Sequence, residues 1–153
     1  MYSNLRTLIA ACVALMAIAS PATADRVTVL LGSHHAGASG QYEEFNPGLF
    51  YTWEGRRVGW SLGAYRNSYG EISLAGAVAR PLVRWDDGEL SVFAGIAHYP
   101  NDGRRFDTHI GGDVVGLAGV QVRYRNVLVQ ALPYQEGSAK ALLTFGLTFD
   151  VGQ

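Results

Sequence analysis

The segment GAYRNSYG, residues 63–70, has the character of a strand end, a tight polar turn and the start of a second strand. Upstream of it, apolar residues alternate with small or polar ones at a period of two, which predicts a strand with one apolar face. The apolar positions are Val58, Trp60, Leu62 and Ala64, and the intervening positions are Arg57, Gly59, Ser61 and Gly63. At the tip, Arg66, Asn67 and Ser68 place a cation, an amide and a hydroxyl side by side. Because Asn and Ser also favour turns for backbone reasons, an ordinary hairpin tip is the simpler interpretation.

Residues 1–24 have the organisation of a secretory signal peptide. Arg6 is their only charged residue, an apolar run covers residues 8–18, and Ala-Thr-Ala at residues 22–24 offers small side chains for cleavage before Asp25. The apolar run is shorter than the ~20 residues that a membrane-spanning helix needs. We therefore expect residues 1–24 to be removed on export. Cleavage before Cys12, as in a lipoprotein, would leave an apolar tail and is the less favoured alternative.

The predicted mature chain, residues 25–153, is long enough for one domain with a hydrophobic core. The single cysteine, Cys12, lies in the signal peptide, so no disulfide is expected. Eleven basic residues against thirteen acidic ones leave a small negative charge, which gives no indication of a nucleic-acid partner. The 19 glycines exceed ordinary usage and, together with alternating apolar residues, favour a β-barrel.

The alternation predicts eight strands and no helix in residues 25–153. The first seven strand segments are 26–35, 49–53, 57–65, 71–85, 89–99, 114–124 and 127–134, and the last strand includes 143–151. Pro81 predicts a bulge or a weak point near the end of the fourth strand. Connections after the odd-numbered strands are longer or more polar than the others, which is typical of outer-membrane barrels. The predicted fold class is all-β, an eight-stranded antiparallel up-and-down β-barrel.

The same alternation assigns side chains to the two faces of the barrel. The predicted lipid-facing residues are Val58, Trp60, Leu62, Leu143, Phe145, Leu147 and Phe149, and the predicted interior residues are Ser61, Gly63, Thr144, Gly146 and Thr148. Aromatic residues near strand ends favour insertion in the outer membrane. A soluble periplasmic barrel or sandwich with the same period is the alternative. Glycines on the inner face indicate an interior cavity.

Two polar clusters that are distant in sequence are predicted at the same rim of this barrel. With the amino end on the periplasmic side, the first strand runs outward and His35 lies at its outer end. The third strand also runs outward and ends at Arg66, Asn67 and Ser68. His34 points to the opposite face from His35 by strand alternation, and we interpret it as an interfacial side chain.

Three segments resemble the PagP-type lipid A palmitoyltransferases: SHH at residues 33–35, YEEFNPG at residues 42–48 and YRNSY at residues 65–69. The resemblance covers about the first half of the mature chain. It implies an eight-stranded outer-membrane barrel that moves a palmitoyl chain from a phospholipid to lipid A. The family carries a histidine at the outer end of its first strand and an Asp-Ser pair after its third, both facing the outer leaflet, and its interior cavity measures the acyl chain.

By position, the resemblance implies catalytic roles for His35, Ser68 and Asn67, with Asn67 standing where the family has aspartate. It implies substrate-binding roles for four further residues, Arg66, Tyr42, Glu43 and Glu44. The implied partners are membrane lipids, namely phospholipid and lipid A. No cofactor and no metal ion are expected, and the barrel is expected to be a monomer.

Acyl transfer needs a base that activates a hydroxyl and groups that stabilise the developing oxyanion. His35 is the candidate base for Ser68 or for the incoming lipid hydroxyl, and Asn67 or Arg66 is the candidate for stabilising negative charge. The alternative is a non-catalytic outer-membrane or periplasmic barrel with a structural, adhesive or lipid-binding role. The interior glycines and three loop charges, Arg104, Arg105 and Asp107, fit this alternative equally well.

Overall fold

The computed structural model describes residues 25–39, 41–133 and 139–151, so the predicted signal peptide lies outside the described residues. These ranges contain nine strands and one short 3-10 turn, Gly103–Arg105. The strands are β1 (Asp25–Ala36), β2 (Gly48–Glu54), β3 (Gly59–Arg66), β4 (Ile72–Trp85), β5 (Gly88–His98), β6 (His109–Gly111), β7 (Val114–Tyr124), β8 (Val127–Pro133) and β9 (Ala141–Val151).

Eight of these strands close into a barrel. Each pairs antiparallel with its neighbours in the order β5-β4-β3-β2-β1-β9-β8-β7, and the pairing of β5 with β7 closes the ring. The short strand β6 pairs only with the start of β7. This confirms the predicted all-β, eight-stranded, up-and-down antiparallel barrel. No helix in the described ranges combines the length and the apolar character needed to cross a membrane.

The two ends of the barrel differ in their connections. At the end where β1 begins, the connections are short: residues 55–58, 86–87 and 125–126. We call this the turn end. At the opposite end, which we call the loop end, the described parts of the connections are residues 37–39 and 41–47, residues 67–71, residues 99–113 and residues 139–140. This is the alternation of short and long connections that the sequence predicts.

The outer surface of the barrel is apolar. Leu62 is 58% exposed, and Phe145, Leu147 and Phe149 are also exposed, as predicted for an outward face. Five exposed aromatic residues lie at or near the turn end: Tyr51, Trp53, Trp85, Tyr124 and Phe149. The predicted interior residues point inward, since Ser61, Thr144 and Thr148 line a central cavity and Gly146 is buried.

Two strands contain irregularities that change the direction of their side chains. The pairing of β4 with β5 shifts between Pro81 and Val83, which agrees with the bulge predicted at this proline. A second shift lies in β1, where Leu30 pairs with Gly146 but Gly32 pairs with Phe145, so Leu31 is an extra residue. Such a bulge re-aims the side chains that follow it.

The bulge in β1 fits closely against the loop that precedes β2. The backbone N–H of Ser33 donates a 2.8 Å hydrogen bond to the carbonyl oxygen of Glu44. A Cβ atom on Gly32 would lie 2.4 Å from that same oxygen. Glycine is therefore required here for the loop to approach the strand.

We expect Gly32→Ala to lower the free energy of unfolding by about 1–3 kcal/mol, because the new methyl group displaces Glu44. Equilibrium unfolding in urea, on barrels refolded in lipid vesicles, measures this change. Gly76→Ala is the matched control, since the nearest atom to its new Cβ would be at 3.6 Å. Equal losses for the two variants would contradict the proposed close approach.

Candidate active site at the loop end

His35 lies near the end of β1 and points into the barrel. Its side chain is buried, and its ring stacks on Tyr42 with centroids 4.2 Å apart and an interplanar angle of 12°. The neighbouring His34 points outward, where its Nδ1 lies 2.8 Å from a carboxylate oxygen of Glu44. The two histidines therefore occupy opposite faces, and only His35 belongs to the interior.

Ser68 lies in the turn between β3 and β4 and meets His35 across the rim. The distance between Ser68 Oγ and His35 Nε2 is 3.3 Å, although the two residues are 33 positions apart. Strand β2 lies between their strands in the sheet, so the loop preceding β2 and the β3–β4 turn fold toward each other above it. The structure thus brings together the two residues that the sequence placed at one rim.

Asn67 is 1% exposed and makes its hydrogen bonds within the turn. Its Oδ1 accepts from the backbone N–H groups of Tyr69 (2.9 Å) and Glu71 (3.1 Å). Its Nδ2 donates a 3.0 Å hydrogen bond to Ser73 Oγ at the start of β4. These contacts make Asn67 a positioning residue, which holds the turn that carries Ser68.

The remaining predicted residues divide between two surfaces. Arg66 donates from Nη2 to Glu43 Oε1 at 3.1 Å and from Nε to the carbonyl oxygen of Gly70 at 3.4 Å. The backbone N–H of Glu43 also donates to the carbonyl oxygen of Ser68, at 3.3 Å. Glu43 therefore joins the loop before β2 to the Ser68 turn, whereas Glu44 pairs with His34 on the outer face.

An open pocket of about 660 Å³ lies beside Ser68. Four of its lining residues, Tyr42, Glu43, Arg66 and Ser68, are predicted site residues. The long loop after β5 contributes two more charged side chains, Asp102 and Arg105, which pair at 2.8 Å. The Arg105 guanidinium also lies 5.2 Å from the ring centroid of Tyr69, a cation–π contact.

The sequence did not identify Asp102 and Tyr69 as site residues, and it treated Arg105 as one of several loop charges. Arg105 is remote from Arg66 in the chain, and it reaches the pocket only because the 3-10 turn folds back over the rim. Ser33 and Asn46 were also missed. Both are buried, and Ser33 Oγ donates to Asn46 Oδ1, which ties the loop before β2 to β1.

A layer of aromatic side chains lies beneath the pocket. The Tyr69 ring packs edge-on against Phe106, with centroids 6.4 Å apart, and Phe106 packs against Tyr99 at 4.7 Å. Tyr65 completes this aromatic layer at 6.2 Å from Tyr99. Burial, and secondarily the neighbouring Tyr65, raise the pKa of the Tyr99 phenol well above its usual value. Tyr99 is therefore a neutral hydrogen-bonding group rather than a base.

A cavity of about 140 Å³ occupies the barrel interior on the turn-end side of the aromatic layer. Its wall near the layer is apolar and includes Phe50, Ala75, Leu117 and Leu142. Towards the turn end its wall carries hydroxyl, amide and charged groups. Within the described parts of the chain, no group of three or more His, Cys, Asp or Glu side chains is arranged to hold a metal ion.

No protein-family model matches the sequence, and no curated protein is significantly similar to it. The resemblance to PagP-type enzymes therefore rests on the three short segments and on the residues that they contain.

We expect Asn67→Ala to lower the free energy of unfolding by about 1–3 kcal/mol, because it removes the buried side chain that accepts hydrogen bonds from two backbone N–H groups of the turn. Asn67→Asp keeps an oxygen at that position and should stay close to the parent protein. Urea unfolding curves for the three proteins measure the difference. A fully stable Asn67→Ala barrel would show that the turn does not depend on this side chain.

Proposed function

We propose that this protein is an outer-membrane acyltransferase, which moves an acyl chain from a phospholipid to lipid A at the outer leaflet. The observation that carries the proposal is the 3.3 Å contact between Ser68 Oγ and His35 Nε2. A histidine nitrogen within hydrogen-bond reach of a hydroxyl is the arrangement that activates an oxygen nucleophile. Stacking on Tyr42 supports the role of His35, because it fixes the plane of the imidazole ring.

The apolar outer surface supports a membrane location. The many large apolar side chains exposed on the barrel strands fit lipid contact, and exposed aromatic residues at the turn end fit the interface between lipid and water. With the turn end on the periplasmic side, the Ser68–His35 pair lies at the level of the outer leaflet. Lipid substrates then reach the pocket from the membrane surface.

In the proposed reaction, His35 Nε2 accepts the Ser68 hydroxyl proton while Ser68 Oγ attacks the ester carbonyl carbon of a phospholipid. The ester C–O bond breaks, and the lysophospholipid leaves with the proton from His35. The resulting acyl-Ser68 ester is then attacked by a lipid A hydroxyl, whose proton His35 accepts and returns to Ser68. Arg66 and Arg105 line the pocket beside Ser68 and offer guanidinium groups to lipid phosphates.

Non-catalytic lipid binding is the second candidate function. Asn67 favours this function, because it has an amide where the PagP-type family has a carboxylate. The amide forms hydrogen bonds that hold the turn. The Ser68–His35 pair then has no carboxylate from this position to stabilise an imidazolium. A barrel of this kind would bind lipid head groups in the pocket without transferring acyl chains.

Mass spectrometry of lipid A, from cells with and without the expressed protein, tests the acyltransferase proposal. We expect a species heavier by one acyl chain, reduced about 100-fold or more in Ser68→Ala and His35→Ala. His34→Ala is the matched control for His35, because its side chain lies on the outer face, and it should keep the new species. Unchanged lipid A in the presence of folded parent protein would favour the non-catalytic function.

The membrane location makes a separate prediction at Phe145, which is exposed on the outer face of β9. We expect Phe145→Arg to cost about 2–4 kcal/mol of stability in lipid vesicles, because a guanidinium is placed near the bilayer centre. Tyr124→Arg, at the turn end of β7, should cost about 1 kcal/mol or less, because the charge reaches the interface. Equal effects of the two substitutions would speak against a membrane-spanning barrel.

A further inference from the structure

The pocket beside Ser68 is lined by two cationic and two anionic side chains. Arg66 pairs with Glu43, with 3.1 Å between Nη2 and Oε1. Arg105 pairs with Asp102, with 2.8 Å between Nε and Oδ1. The other side chains that line the pocket carry no charge. The lining is therefore electrically neutral as a whole, although it holds two guanidinium groups.

The two ion pairs belong to different segments of the loop end. Arg66 lies at the end of β3, and Glu43 lies in the loop that precedes β2. Asp102 and Arg105 belong to the loop that follows β5. Tyr69 connects the two pairs, because the Arg105 guanidinium lies 5.2 Å from its ring centroid. The pocket thus presents two separate positive groups and two separate negative groups to one ligand.

Asp102 is the most buried of these four charged side chains. Its side chain is 14% exposed, whereas that of its partner Arg105 is 59% exposed. Within the described loop, this carboxylate makes no capping hydrogen bond to the 3-10 turn Gly103–Arg105. A carboxylate that is removed from water needs cationic or hydrogen-bonding partners. Arg105 supplies one such partner, and a cationic group of a bound ligand would supply a second.

Each ion pair can accept a further charged group without breaking. A guanidinium has five N–H donors, and a carboxylate can accept about four hydrogen bonds. A phosphate can therefore approach Arg66 while Arg66 stays paired with Glu43. A ligand with only negative charge is repelled by the neighbouring carboxylates, which selects against it. A ligand with a cationic group next to its phosphate turns this repulsion into attraction.

We propose that this pocket selects the zwitterionic head group of phosphatidylethanolamine, with the phosphate against Arg66 and the ammonium against Asp102. Two carbons separate the ammonium from the phosphate, so both fit in one open pocket of about 660 Å³. The inference rests on the proposed function, since it names the head group of the donor phospholipid. Anionic phospholipids such as phosphatidylglycerol are then the poorer donors.

The aromatic rings of the pocket favour a primary ammonium over the trimethylammonium of choline. Quaternary ammonium groups are recognised by open cages of aromatic faces. Here His35 covers one face of Tyr42, with ring centroids 4.2 Å apart, and the Arg105 guanidinium lies over Tyr69. These two rings therefore form no open cage. A primary ammonium instead donates three hydrogen bonds, which suits the carboxylate of Asp102.

Two lipids can carry a phosphate ester of ethanolamine, namely the donor phospholipid and a lipid A that is modified with phosphoethanolamine. The position of Arg66 favours the donor. Arg66 and Ser68 line the same pocket and are two residues apart. In a phospholipid, the ester that Ser68 attacks and the phosphate are joined to the same glycerol, so both groups lie close to this turn.

The first test measures binding of head groups that have no acyl chain, so acyl transfer plays no part. The protein in non-ionic maltoside micelles is titrated with glycerophosphoethanolamine, glycerophosphoglycerol and glycerophosphocholine. Saturation-transfer difference NMR gives the three dissociation constants. We expect glycerophosphoethanolamine to bind at least about tenfold more tightly than either of the other two compounds.

Matched variants assign the preference to single charges. Asp102→Asn should reduce the preference for glycerophosphoethanolamine over glycerophosphoglycerol to about twofold or less. Asp107→Asn is its control, because Asp107 is an exposed carboxylate of the same loop outside the pocket lining, and it should keep the full preference. Arg66→Gln should weaken all three compounds about tenfold. Arg104→Gln, which removes an exposed arginine outside the lining, should leave all three constants unchanged.

The second test identifies the lipid that supplies the head group. Vesicles contain unmodified lipid A with equal amounts of phosphatidylethanolamine and phosphatidylglycerol, and only one of the two phospholipids carries deuterated acyl chains. Mass spectrometry of lipid A then reports which phospholipid gave its chain. We expect at least about tenfold more transfer from phosphatidylethanolamine in the parent protein, and near-equal transfer in Asp102→Asn. A preference for ethanolamine that appears only when lipid A carries it would overturn the assignment to the donor.

Three binding results would contradict the proposal: equal affinity of the parent protein for the three compounds, tightest binding of glycerophosphoglycerol, and an unchanged preference in Asp102→Asn. The two tests also separate this proposal from the acyltransferase function. Selective binding of glycerophosphoethanolamine without acyl transfer would support the head-group site and reject the enzyme. Acyl transfer with equal use of both phospholipids would support the enzyme and reject the head-group site.

Discussion

The candidate site depends on a single extra residue in the first strand. Before the bulge, Thr28 and Leu30 point into the barrel, and strict alternation from them would turn His34 inward and His35 outward. The extra residue, Leu31, reverses the alternation, so His35 faces the interior and can reach Ser68. The close approach of Gly32 to Glu44 accompanies the bulge and draws the loop that carries Tyr42 over the rim. Backbone geometry therefore decides which of two adjacent histidines belongs to the site.

The aromatic layer divides the barrel into two compartments of different character. On its loop-end side, an open pocket is lined by the Ser68 hydroxyl and by two guanidinium groups, each of which lies close to a carboxylate. On its turn-end side, the cavity ends at charged side chains that include the ion pair of Arg26 and Glu54. The polar wall at the turn end of the cavity does not suit a hydrocarbon tail that enters from the loop end and extends along the whole cavity. An interior that measures an acyl chain requires a simple apolar channel. The cavity of this barrel differs from such a channel, because its wall is polar at the turn end.

Much of the fold could be predicted from the sequence, because apolar and polar residues alternate clearly wherever one face of a strand is apolar. The eight barrel strands, the bulge at Pro81 and the common rim of His35 and Ser68 all followed from alternation and strand direction. The bulge at Leu31 could not be predicted, since one extra apolar residue in an apolar strand leaves no signal. The charged side chains at the turn end were equally hidden. Arg26, Glu54, Glu89 and Arg123 lie on four different strands and meet only in the closed barrel.

The pairing of β1 has a consequence for the order of assembly. Strand β2 pairs with β1 only from Arg26 to Leu30, so residues 32–36 have β9 as their only paired strand among the described residues. His35 lies in this segment, opposite Leu142 of β9. Contacts between the first and last strands join the residues that are most distant in the chain, so we expect them to form late in folding. An unclosed barrel thus holds His35 and Ser68 without a fixed geometry, and the site becomes complete only when the final strand is in place.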